Sequence, residues 1–279
     1  MKVIESVSEI KEAIAAMEPK AGIGFVPTMG ALHRGHLSLV ERSVKENRYT
    51  IVSIFVNPTQ FNDQKDLERY PRDLNKDLEL LEGYGVDIVF APDTKEIYPE
   101  KDSRVFDMGG LDKYGEGGFR PGHFNGVAQV VTRLFDIITP DRAYFGEKDF
   151  QQLAIIKYVT SDLNLPVGII GVPIYRDEDG LALSSRNMLL SPEHREVAPH
   201  IFRTISKAKE LMGKYTPLMV AEMVKNEINS CELLETEYVE IINALNLKPV
   251  SEWDQAEEIQ LCCAVYAGPI RLIDNIKLR

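Results

Sequence analysis

The chain has 279 residues, of which 44% are hydrophobic and 27% charged, and its formal net charge at pH 7 is −11. This length and composition are those of a globular protein with one large or two modest domains. The acidic balance, with Lys and Arg spread along the chain, argues against a broad nucleic-acid-binding surface but allows a small site for one phosphorylated ligand.

The N-terminus and the cysteines indicate a soluble protein of the cytoplasm. Residues 1–5 carry no signal-peptide core, and the sequence has no run of about 18 apolar residues suited to a membrane span. Cys231, Cys262 and Cys263 show no metal-ligand spacing, and their odd number argues against a disulfide scaffold. We therefore expect no association with membranes.

Predicted helices and strands alternate over the first 175 residues. Ser6-Val7-Ser8-Glu9 is a capping-box pattern that begins a helix, which Pro19 is expected to end. Apolar residues with helical spacing predict further helices up to Asn47 and over 74–81, 127–138 and 153–160. Short apolar runs predict buried strands at 22–26, 50–56, 86–90, 143–145 and 167–173. This alternation predicts an α/β fold with a doubly wound parallel sheet, in which ligands bind beyond the carboxyl ends of the strands.

The pattern changes along the rest of the chain. Residues 93–125 are polar and rich in glycine, which is typical of disorder or of a functional flap. Ser191-Pro192 predicts a helix that reaches Gly213, and Thr216-Pro217 begins another. Strands are predicted at 238–242, 259–266 and 270–278. We therefore predict two domains, a doubly wound one over residues 1–175 and a smaller α+β one over residues 176–279.

Two histidines lie between the first buried strand and the helix that follows it. His33 and His36 are one helical turn apart in a stretch that also contains Gly30 and Gly35. We name residues 29–36 the histidine turn. Imidazole N–H groups at the start of a helix can bind a nucleotide phosphate. Simple helix capping is the first alternative, and a zinc site is the second, although no further Cys or His ligand lies nearby in sequence.

Three further polar clusters fall at or near predicted strand ends or the domain junction: residues 57–61, 146–149 and 184–186. Lys148 could bind a phosphate or lie as a solvated surface lysine. Asp149 could accept hydrogen bonds from ribose hydroxyls or cap the next helix. Because all these clusters occupy the same kind of position in the fold, we expect them to form one site.

Ser184, Ser185 and Arg186 offer two hydroxyls and a guanidinium group, which together could bind a triphosphate or merely form a turn before a helix. Gln60 and Gln152 carry neutral amides that can hold a hydroxyl or a carboxylate without adding charge. The alternative is that either glutamine serves only the local backbone.

Taken together, these motifs resemble the pantothenate synthetase family, also called the pantoate–β-alanine ligases. The resemblance covers most of the first 190 residues, together with Arg271-Leu272-Ile273-Asp274-Asn275 near the end. It rests on five ordered motifs: Pro27-Thr28-Met29-Gly30 with His33-x-Gly35-His36, Ser53-Ile54-Phe55-Val56-Asn57-Pro58 with Gln60-Phe61, Arg120-Pro121-Gly122-His123-Phe124, Gly146-Glu147-Lys148-Asp149-Phe150-Gln151-Gln152-Leu153, and Asp179-Gly180-Leu181-Ala182-Leu183-Ser184-Ser185-Arg186-Asn187.

The resemblance implies a Rossmann-like N-terminal domain and a histidine turn equivalent to the HIGH signature of nucleotidyltransferases. The polar segment 175–187 is expected to be a hinge between the domains, so that the smaller domain acts as a lid. The resemblance also implies a homodimer and a two-step reaction. Pantoate would attack ATP with Mg²⁺ assistance, which gives pantoyl adenylate and pyrophosphate. β-Alanine would then attack the adenylate, which gives pantothenate and AMP.

Site residues follow from the resemblance by position. His36 would be the proton donor, with His33 and Lys148 as further catalytic residues. Gln60 and Gln152 would bind pantoate, Gln60 would also bind β-alanine, and Asp77 would lie near Mg²⁺. The implied ATP site comprises Met29, Gly30, Ala31, Leu32, His33, Arg34, Gly35, His36, Gly146, Glu147, Lys148, Asp149, Tyr175, Leu183, Ser184, Ser185 and Arg186.

Two positions depart from the family pattern, which often has an acidic residue where Arg34 stands and methionine where Thr59 stands. Neither is an expected catalytic group. A nucleotidyltransferase that acts on a different small acceptor is the first alternative function, and a non-catalytic nucleotide sensor is the second. An aminoacyl-tRNA synthetase is disfavoured by the acidic charge and by the lack of an anticodon-binding extension.

Overall fold

The structure, a computed structural model, describes residues 1–18, 22–62 and 64–279. Pro19, where the sequence predicts the end of the first helix, lies outside the described residues. The chain forms two compact units. Unit 1 comprises Met1–Gly110, Arg120–Glu147 and Gln152–Pro173, and unit 2 comprises Leu111–Phe119, Lys148–Gln151 and Ile174–Arg279.

The structure contains nine strands and eleven α-helices among the described residues. The strands are β1 (Lys2–Ile4), β2 (Ile23–Thr28), β3 (Tyr49–Ile54), β4 (Ile88–Phe90), β5 (Arg142–Gly146), β6 (Gly168–Val172), β7 (Leu234–Asn243), β8 (Ile259–Ala267) and β9 (Ile270–Lys277). The helices are α1 (Val7–Ala15), α2 (Arg34–Glu46), α3 (Gln64–Arg69), α4 (Leu74–Leu81), α5 (Thr94–Ile97), α6 (Gly115–Phe119), α7 (His123–Ile138), α8 (Phe150–Asp162), α9 (Pro192–Val197), α10 (His200–Leu211) and α11 (Pro217–Asn229).

Unit 1 is built on a six-stranded parallel sheet with the strand order β1-β4-β3-β2-β5-β6. Helices cover both faces, because successive side chains of a strand point to opposite sides. Phe25 of β2 makes an edge-to-face contact with Phe135 of α7, whereas Val26 packs with Leu37 and Val40 of α2. Burial on both faces explains why these strands read as continuous apolar runs. The predicted doubly wound α/β fold is confirmed.

The order of the strands creates a switch point at the centre of this sheet. From β2 the chain proceeds to β3 and β4 on one side, and it later returns to place β5 and β6 on the other side. A crevice for ligands opens beyond the carboxyl ends of the strands at such a point. The histidine turn follows β2, residues 57–61 follow β3, and Gly146 ends β5. Three predicted clusters therefore lie at the carboxyl ends of three neighbouring strands.

Unit 2 contains a three-stranded antiparallel sheet with the order β7-β8-β9. The helices α10 and α11 pack against it through Ile205 and Val224, which belong to a fully apolar cluster with Leu261 of β8. This arrangement confirms the predicted smaller α+β fold. Whether residues 1–175 and 176–279 act as separate functional domains stays a prediction.

Several element predictions are corrected by the structure. A single helix from Ser191-Pro192 to Gly213 is wrong, because the chain breaks into α9 and α10 at Pro199, whose nitrogen has no hydrogen to donate. Residues 93–125 contain the short helices α5 and α6 and the start of α7 at His123. The strand β1 is missed by the apolar pattern, since it is only three residues long and only Ile4 is buried.

None of the helices in the described ranges is long and apolar enough to cross a membrane. The three cysteines Cys231, Cys262 and Cys263 are free thiols.

Candidate active site

The histidine turn leaves β2 through two residues in the left-handed region of backbone space. Gly30 has a φ of +79° and Ala31 a φ of +49°. Glycine adopts this conformation readily, whereas alanine adopts it at a cost in free energy. Thr28 supports the bend, because its Oγ1 donates to the Ser53 carbonyl and accepts from the Gly30 N–H. The helix α2 then begins at Arg34.

The two histidines cap the start of α2 through their Nδ1 atoms. His33 Nδ1 accepts from the Gly35 N–H at 3.1 Å, and His36 Nδ1 accepts from the His33 N–H at 3.3 Å. The ring centroids are 4.1 Å apart. A neutral imidazole whose Nδ1 accepts a hydrogen bond carries its proton on Nε2. Capping therefore sets both rings as Nε2–H donors, so capping and a phosphate-binding role are compatible.

Asp77 of α4 is joined to the backbone of the histidine turn. Its Oδ2 accepts from the Ala31 N–H at 2.9 Å and its Oδ1 from the Leu32 N–H at 2.7 Å. The residue is only 2% exposed. Burial raises the pKa of the Asp77 carboxyl, and the two backbone N–H groups act in the opposite direction.

Gln60 lies beside the histidine turn, in contact with Met29. Its Nε2 donates to Met29 Sδ at 3.2 Å, and its Oε1 accepts from Asn57 Nδ2 at 3.1 Å. An amide nitrogen carries two hydrogens, so Nε2 can donate to a ligand while it contacts the sulfur. The amide predicted to bind pantoate and a residue of the predicted ATP site are thus brought together within unit 1.

Asn57 is the buried centre of this part of the site. Its Nδ2 also donates to the Gly126 carbonyl at 3.0 Å, and its Oδ1 accepts from the Tyr98 hydroxyl at 3.0 Å and from Thr59. The Asn57 side chain is 1% exposed. Burial raises the pKa of Tyr98 further above neutral pH, so its hydroxyl is protonated and can donate. Asn57 thereby fixes the orientation of the neighbouring Gln60 amide.

The helix α7 also contacts the segment that carries Asn57 and Gln60. His123 Nδ1 lies 2.7 Å from the Gln60 carbonyl oxygen, and His123 Nε2 lies 3.2 Å from Nη1 of Arg120. Gly126 allows the helix to approach closely, because a Cβ there would lie 2.3 Å from the Thr59 carbonyl oxygen. The Arg120–Phe124 motif is therefore tied to the backbone that carries Gln60.

Replacing Gly126 with alanine should destabilise unit 1 by about 1–3 kcal/mol, the usual effect of overpacking. The added methyl group would force α7 away from residues 59 and 60. Chemical denaturation measures the effect. Gly168→Ala is the control, because a Cβ at Gly168 would meet its nearest atom at an ordinary 3.5 Å. Equal stability of G126A and G168A would contradict the close approach of α7.

The carboxyl end of β5 contributes Gly146 and then Glu147, the last residues of their segment of unit 1. Gln152 lies in the first turn of α8 and is half-buried. Gly146 ends β5 and the histidine turn follows β2, and these two strands flank the switch point. Arg34 is exposed at the first position of α2.

Lys148 and Asp149 belong to unit 2, where strand β9 holds the backbone of Lys148. Asn275 Nδ2 donates to the Lys148 carbonyl at 2.9 Å, and Asn275 Oδ1 accepts from Gln260 Nε2 at 2.6 Å. Lys148 Nζ lies 3.4 Å from the Asp149 carboxylate, and the lysine side chain is 18% exposed. The ammonium group is therefore carried on a fixed backbone.

The segment from Tyr175 to Arg186 begins as a small hairpin in unit 2. Leu183 N–H donates to the Tyr175 carbonyl at 3.0 Å, and Arg176 pairs with Ala182 as an isolated bridge. The Ser184 hydroxyl then caps a 3₁₀ turn by accepting from the Arg186 N–H at 3.2 Å. Tyr175 is exposed, whereas Ser185 is buried.

A buried ion pair anchors this hairpin to β9. Arg176 makes a two-point contact with the Asp274 carboxylate, at 2.7 and 2.8 Å. Its guanidinium group lies 3.7 Å from the ring centroid of Phe202. Burial raises the pKa of Asp274, and Arg176 opposes that shift. Since Asn275 is the next residue, one point of β9 holds both the Tyr175 hairpin and the Lys148 backbone.

Four supporting residues escape the sequence argument: Tyr98, Gly126, Arg176 and Asp274. Their partners are distant from them in sequence, so no local residue spacing predicts these contacts. Gly126 offers the best signal, since a glycine inside an apolar helical stripe suggests a close approach of backbone. Asp274 lies within the Arg271–Asn275 motif, although its ion pair cannot be read from that motif.

The chain is similar to known proteins along its whole length. The sequence profile of the family described as "Pantoate-beta-alanine ligase" matches residues 2–277. The pantothenate synthetase of Bacteroides thetaiotaomicron is 49% identical over 280 residues, which span 100% of this chain and 99% of the relative.

Two solved structures are also similar. The pantothenate synthetase of Thermus thermophilus is 45% identical and superposes with a TM-score of 0.93, over 100% of this chain and 99% of the other. The pantoate-beta-alanine ligase of Francisella tularensis, complexed with β-γ ATP and β-alanine, is 35% identical with a TM-score of 0.85, over 100% and 98% of the two chains.

The parallel sheet, its switch point and the capped histidine turn define a Rossmann-like α/β fold with its site at the strand ends. The chain belongs to the pantoate-beta-alanine ligase family. It is an enzyme, a ligase of pantothenate biosynthesis.

Proposed function

We propose that the chain joins pantoate to β-alanine in two steps at the expense of ATP. In the first step the pantoate carboxylate attacks the α-phosphorus of ATP; an oxygen–phosphorus bond forms, and the bond to the pyrophosphate oxygen breaks. In the second step the amine of β-alanine attacks the carbonyl carbon of pantoyl adenylate. An amide bond forms, AMP leaves with the oxygen that pantoate supplied, and the amine loses a proton.

One observation carries this proposal, namely the capped histidine turn at the switch point of the sheet, in contact with the amide of Gln60 through Met29. A nucleotide phosphate and a small carboxylic acid can thus be held by adjacent groups. The Francisella tularensis relative is complexed with β-γ ATP and β-alanine, which supports ATP and β-alanine as substrates of this chain.

We assign to the imidazole N–H groups and to Lys148 the stabilisation of the negative charge that develops on pyrophosphate as it leaves. His36 is the proposed proton donor and His33 its neighbour, since both rings are set with Nε2–H. The wider ATP site comprises the histidine turn, residues 146–149, Tyr175 and residues 183–186. Phosphoryl transfer needs positioning and charge stabilisation more than a covalent intermediate on the protein.

Gln60 and Gln152 are the proposed ligands of pantoate, and Gln60 also of β-alanine. A neutral amide can orient a carboxylate without reducing its nucleophilicity as strongly as an ion pair would. The orientation of Gln60 by Asn57 and Met29 supports this assignment.

Magnesium fits poorly at Asp77, the residue that the resemblance places near the ion. Mg²⁺ usually keeps several waters and octahedral oxygen ligands, whereas Asp77 is 2% exposed and accepts a backbone hydrogen bond at each oxygen. Across the described residues there is no group of three or more His, Cys, Asp or Glu that could hold a metal ion. We therefore derive no step through Mg²⁺.

The homodimer, the cytoplasmic location and the lid role of the second domain remain predictions from the sequence.

The test of the proposed function is an assay of the purified chain with ATP and pantoate, with and without β-alanine. Without β-alanine, pyrophosphate should be released in a burst close to the enzyme concentration, because the adenylate stays bound. With β-alanine, AMP should accumulate continuously together with pantothenate. AMP formation that ignores β-alanine, or pyrophosphate release that ignores pantoate, would contradict the proposal.

Replacing Gln60 with alanine should weaken pantoate binding more than ATP binding. Loss of one amide ligand to a charged group corresponds to about 1.5–3 kcal/mol, or roughly a 10- to 150-fold rise in the dissociation constant. Isothermal titration with each substrate separates the two effects. Gln64→Ala is the control, since Gln64 is exposed on α3 and contacts only Glu68 among its described side-chain partners. Equal weakening of ATP and pantoate in Q60A would remove Gln60 as a pantoate ligand.

A further inference from the structure

The buried carboxylate of Asp77 has a geometry suited to holding the histidine turn. It reaches from α4 to two successive backbone N–H groups of the turn, those of Ala31 and Leu32, at 2.9 and 2.7 Å. Each N–H is paired with a different carboxylate oxygen. This two-point contact fixes both the position and the tilt of the peptide units that carry the Ala31 and Leu32 N–H groups.

The backbone that Asp77 contacts is held in an unfavourable conformation. Ala31 has a φ of +49°, a region that residues with a side chain rarely occupy unless the surroundings impose it. Gly30 before it has a φ of +79° and leaves room for the carboxylate, since a Cβ there would lie 2.8 Å from Asp77 Oδ2. The sequence thus supplies a bend that α4 must stabilise from outside.

The charge of Asp77 argues against direct binding of phosphate by this part of the turn. A buried anion repels a phosphate group, and the Ala31 and Leu32 N–H groups already donate to it. The Gly35 N–H likewise donates to His33. The ligand is therefore assigned to the imidazole rings and not to these backbone N–H groups.

We propose that Asp77 is a positioning residue, whose carboxylate holds the Gly30–Leu32 bend and thereby sets the start of α2 and the direction of the His33 and His36 rings. The inference rests on the proposed function, because it assigns the ATP-activating role to those two rings. It replaces the expectation that Asp77 lies near Mg²⁺. Asp77 acts through the histidines and touches no reacting atom.

The test compares Asp77→Asn with Asp73→Asn. Asparagine at 77 keeps the size of the side chain but turns an NH₂ group toward one of the two backbone N–H groups. Asp73 caps the same helix by accepting from the Lys76 N–H, and its described contacts do not include the turn. D77N should lower kcat for pyrophosphate release about 100-fold, the effect of roughly 1 Å of misplacement, with a much smaller change in KM for pantoate. D73N should keep kcat within about threefold of wild type, because asparagine caps a helix about as well as aspartate does.

Amide hydrogen exchange provides a readout that does not depend on activity. In the wild-type chain the Ala31 and Leu32 amides should exchange slowly both without and with ATP, because their acceptor is Asp77 and not the nucleotide. In D77N both should exchange faster while amides of β2 and β3 keep their protection. Fast exchange at either amide in the wild-type chain, or a D77N variant with wild-type kcat, would overturn the inference, as would equal losses of kcat in D77N and D73N.

Failure of the proposed function would look different. A wild-type chain that releases no pyrophosphate from ATP and pantoate would refute the reaction, whereas slow exchange at Ala31 and Leu32 would still support the anchoring of the turn. If D77N does not fold, the exchange measurements on the wild-type chain alone decide the anchoring.

Discussion

His36→Asn should reduce the rate of pyrophosphate release from ATP and pantoate by a factor of about 10²–10³, or roughly 2.7–4 kcal/mol of transition-state stabilisation. The asparagine Oδ1 can take the place of His36 Nδ1 as the acceptor of the His33 N–H, so the helix cap persists. The Nε2–H donor is lost. His36→Asn therefore removes the imidazole donor and keeps the helix cap, whereas His36→Ala would remove both.

The comparison of the two His36 variants makes this prediction specific. Both should show a similar loss of rate in single-turnover experiments, but only His36→Ala should also lose thermal stability, by about 0.5–2 kcal/mol for the missing cap. If His36→Asn released pyrophosphate at a near-normal rate, His36 would be a capping residue only. Simple helix capping, the alternative left open by the sequence, would then be the correct interpretation of that histidine.

Lys148→Met should have the second large effect, a fall of about 100-fold in the rate of adenylate formation with the fold intact. Methionine preserves much of the side-chain length and removes the positive charge. The Asn275 contact is to the Lys148 carbonyl, so the backbone should stay in place. An ammonium ion stabilises charge that grows on the phosphate oxygens in the transition state, and kcat should therefore suffer more than ATP binding.

Lys157→Met provides the matched control for this variant. Lys157 is exposed on α8, nine residues further along the chain. It carries the same charge, so any effect of net charge on ATP association should appear in both variants. Equal rates in K148M and K157M would remove Lys148 from the mechanism. A loss of rate in K148M that is matched by a loss of stability would point to a structural role.

Much of the fold of unit 1 can be predicted from the sequence, because its central strands are buried on both faces. Residues 22–26 and 50–56 read as nearly continuous apolar runs for that reason, and their helices show clear apolar spacing. The edge strand β1 gives no such signal, since Val3 is 40% exposed and only Ile4 is buried. The break at Pro199 is also predictable in principle from proline's missing hydrogen, but the helix start at Ser191-Pro192 does not show where that helix ends.

The candidate site is predictable only in its local parts. His33, His36 and their glycines form a contiguous motif, and parallel strands bring such motifs to one edge of a sheet. Long-range partners leave no comparable trace. Asp77 is one of several acidic residues on α4 and its flanks, and nothing in its spacing indicates that it contacts Ala31 and Leu32. Asn57 likewise collects partners from α7 and from Tyr98, just beyond α5, that only the folded chain reveals.

The central claim is that pantoate is activated as an acyl adenylate, and isotope transfer tests it most directly. Pantoate labelled with ¹⁸O in both carboxylate oxygens should be incubated with the chain, ATP and β-alanine, and the products analysed by mass spectrometry. The two-step route predicts one ¹⁸O atom in each AMP and one in each pantothenate. AMP without ¹⁸O, or label in inorganic phosphate or pyrophosphate, would show that pantoate does not attack the α-phosphorus.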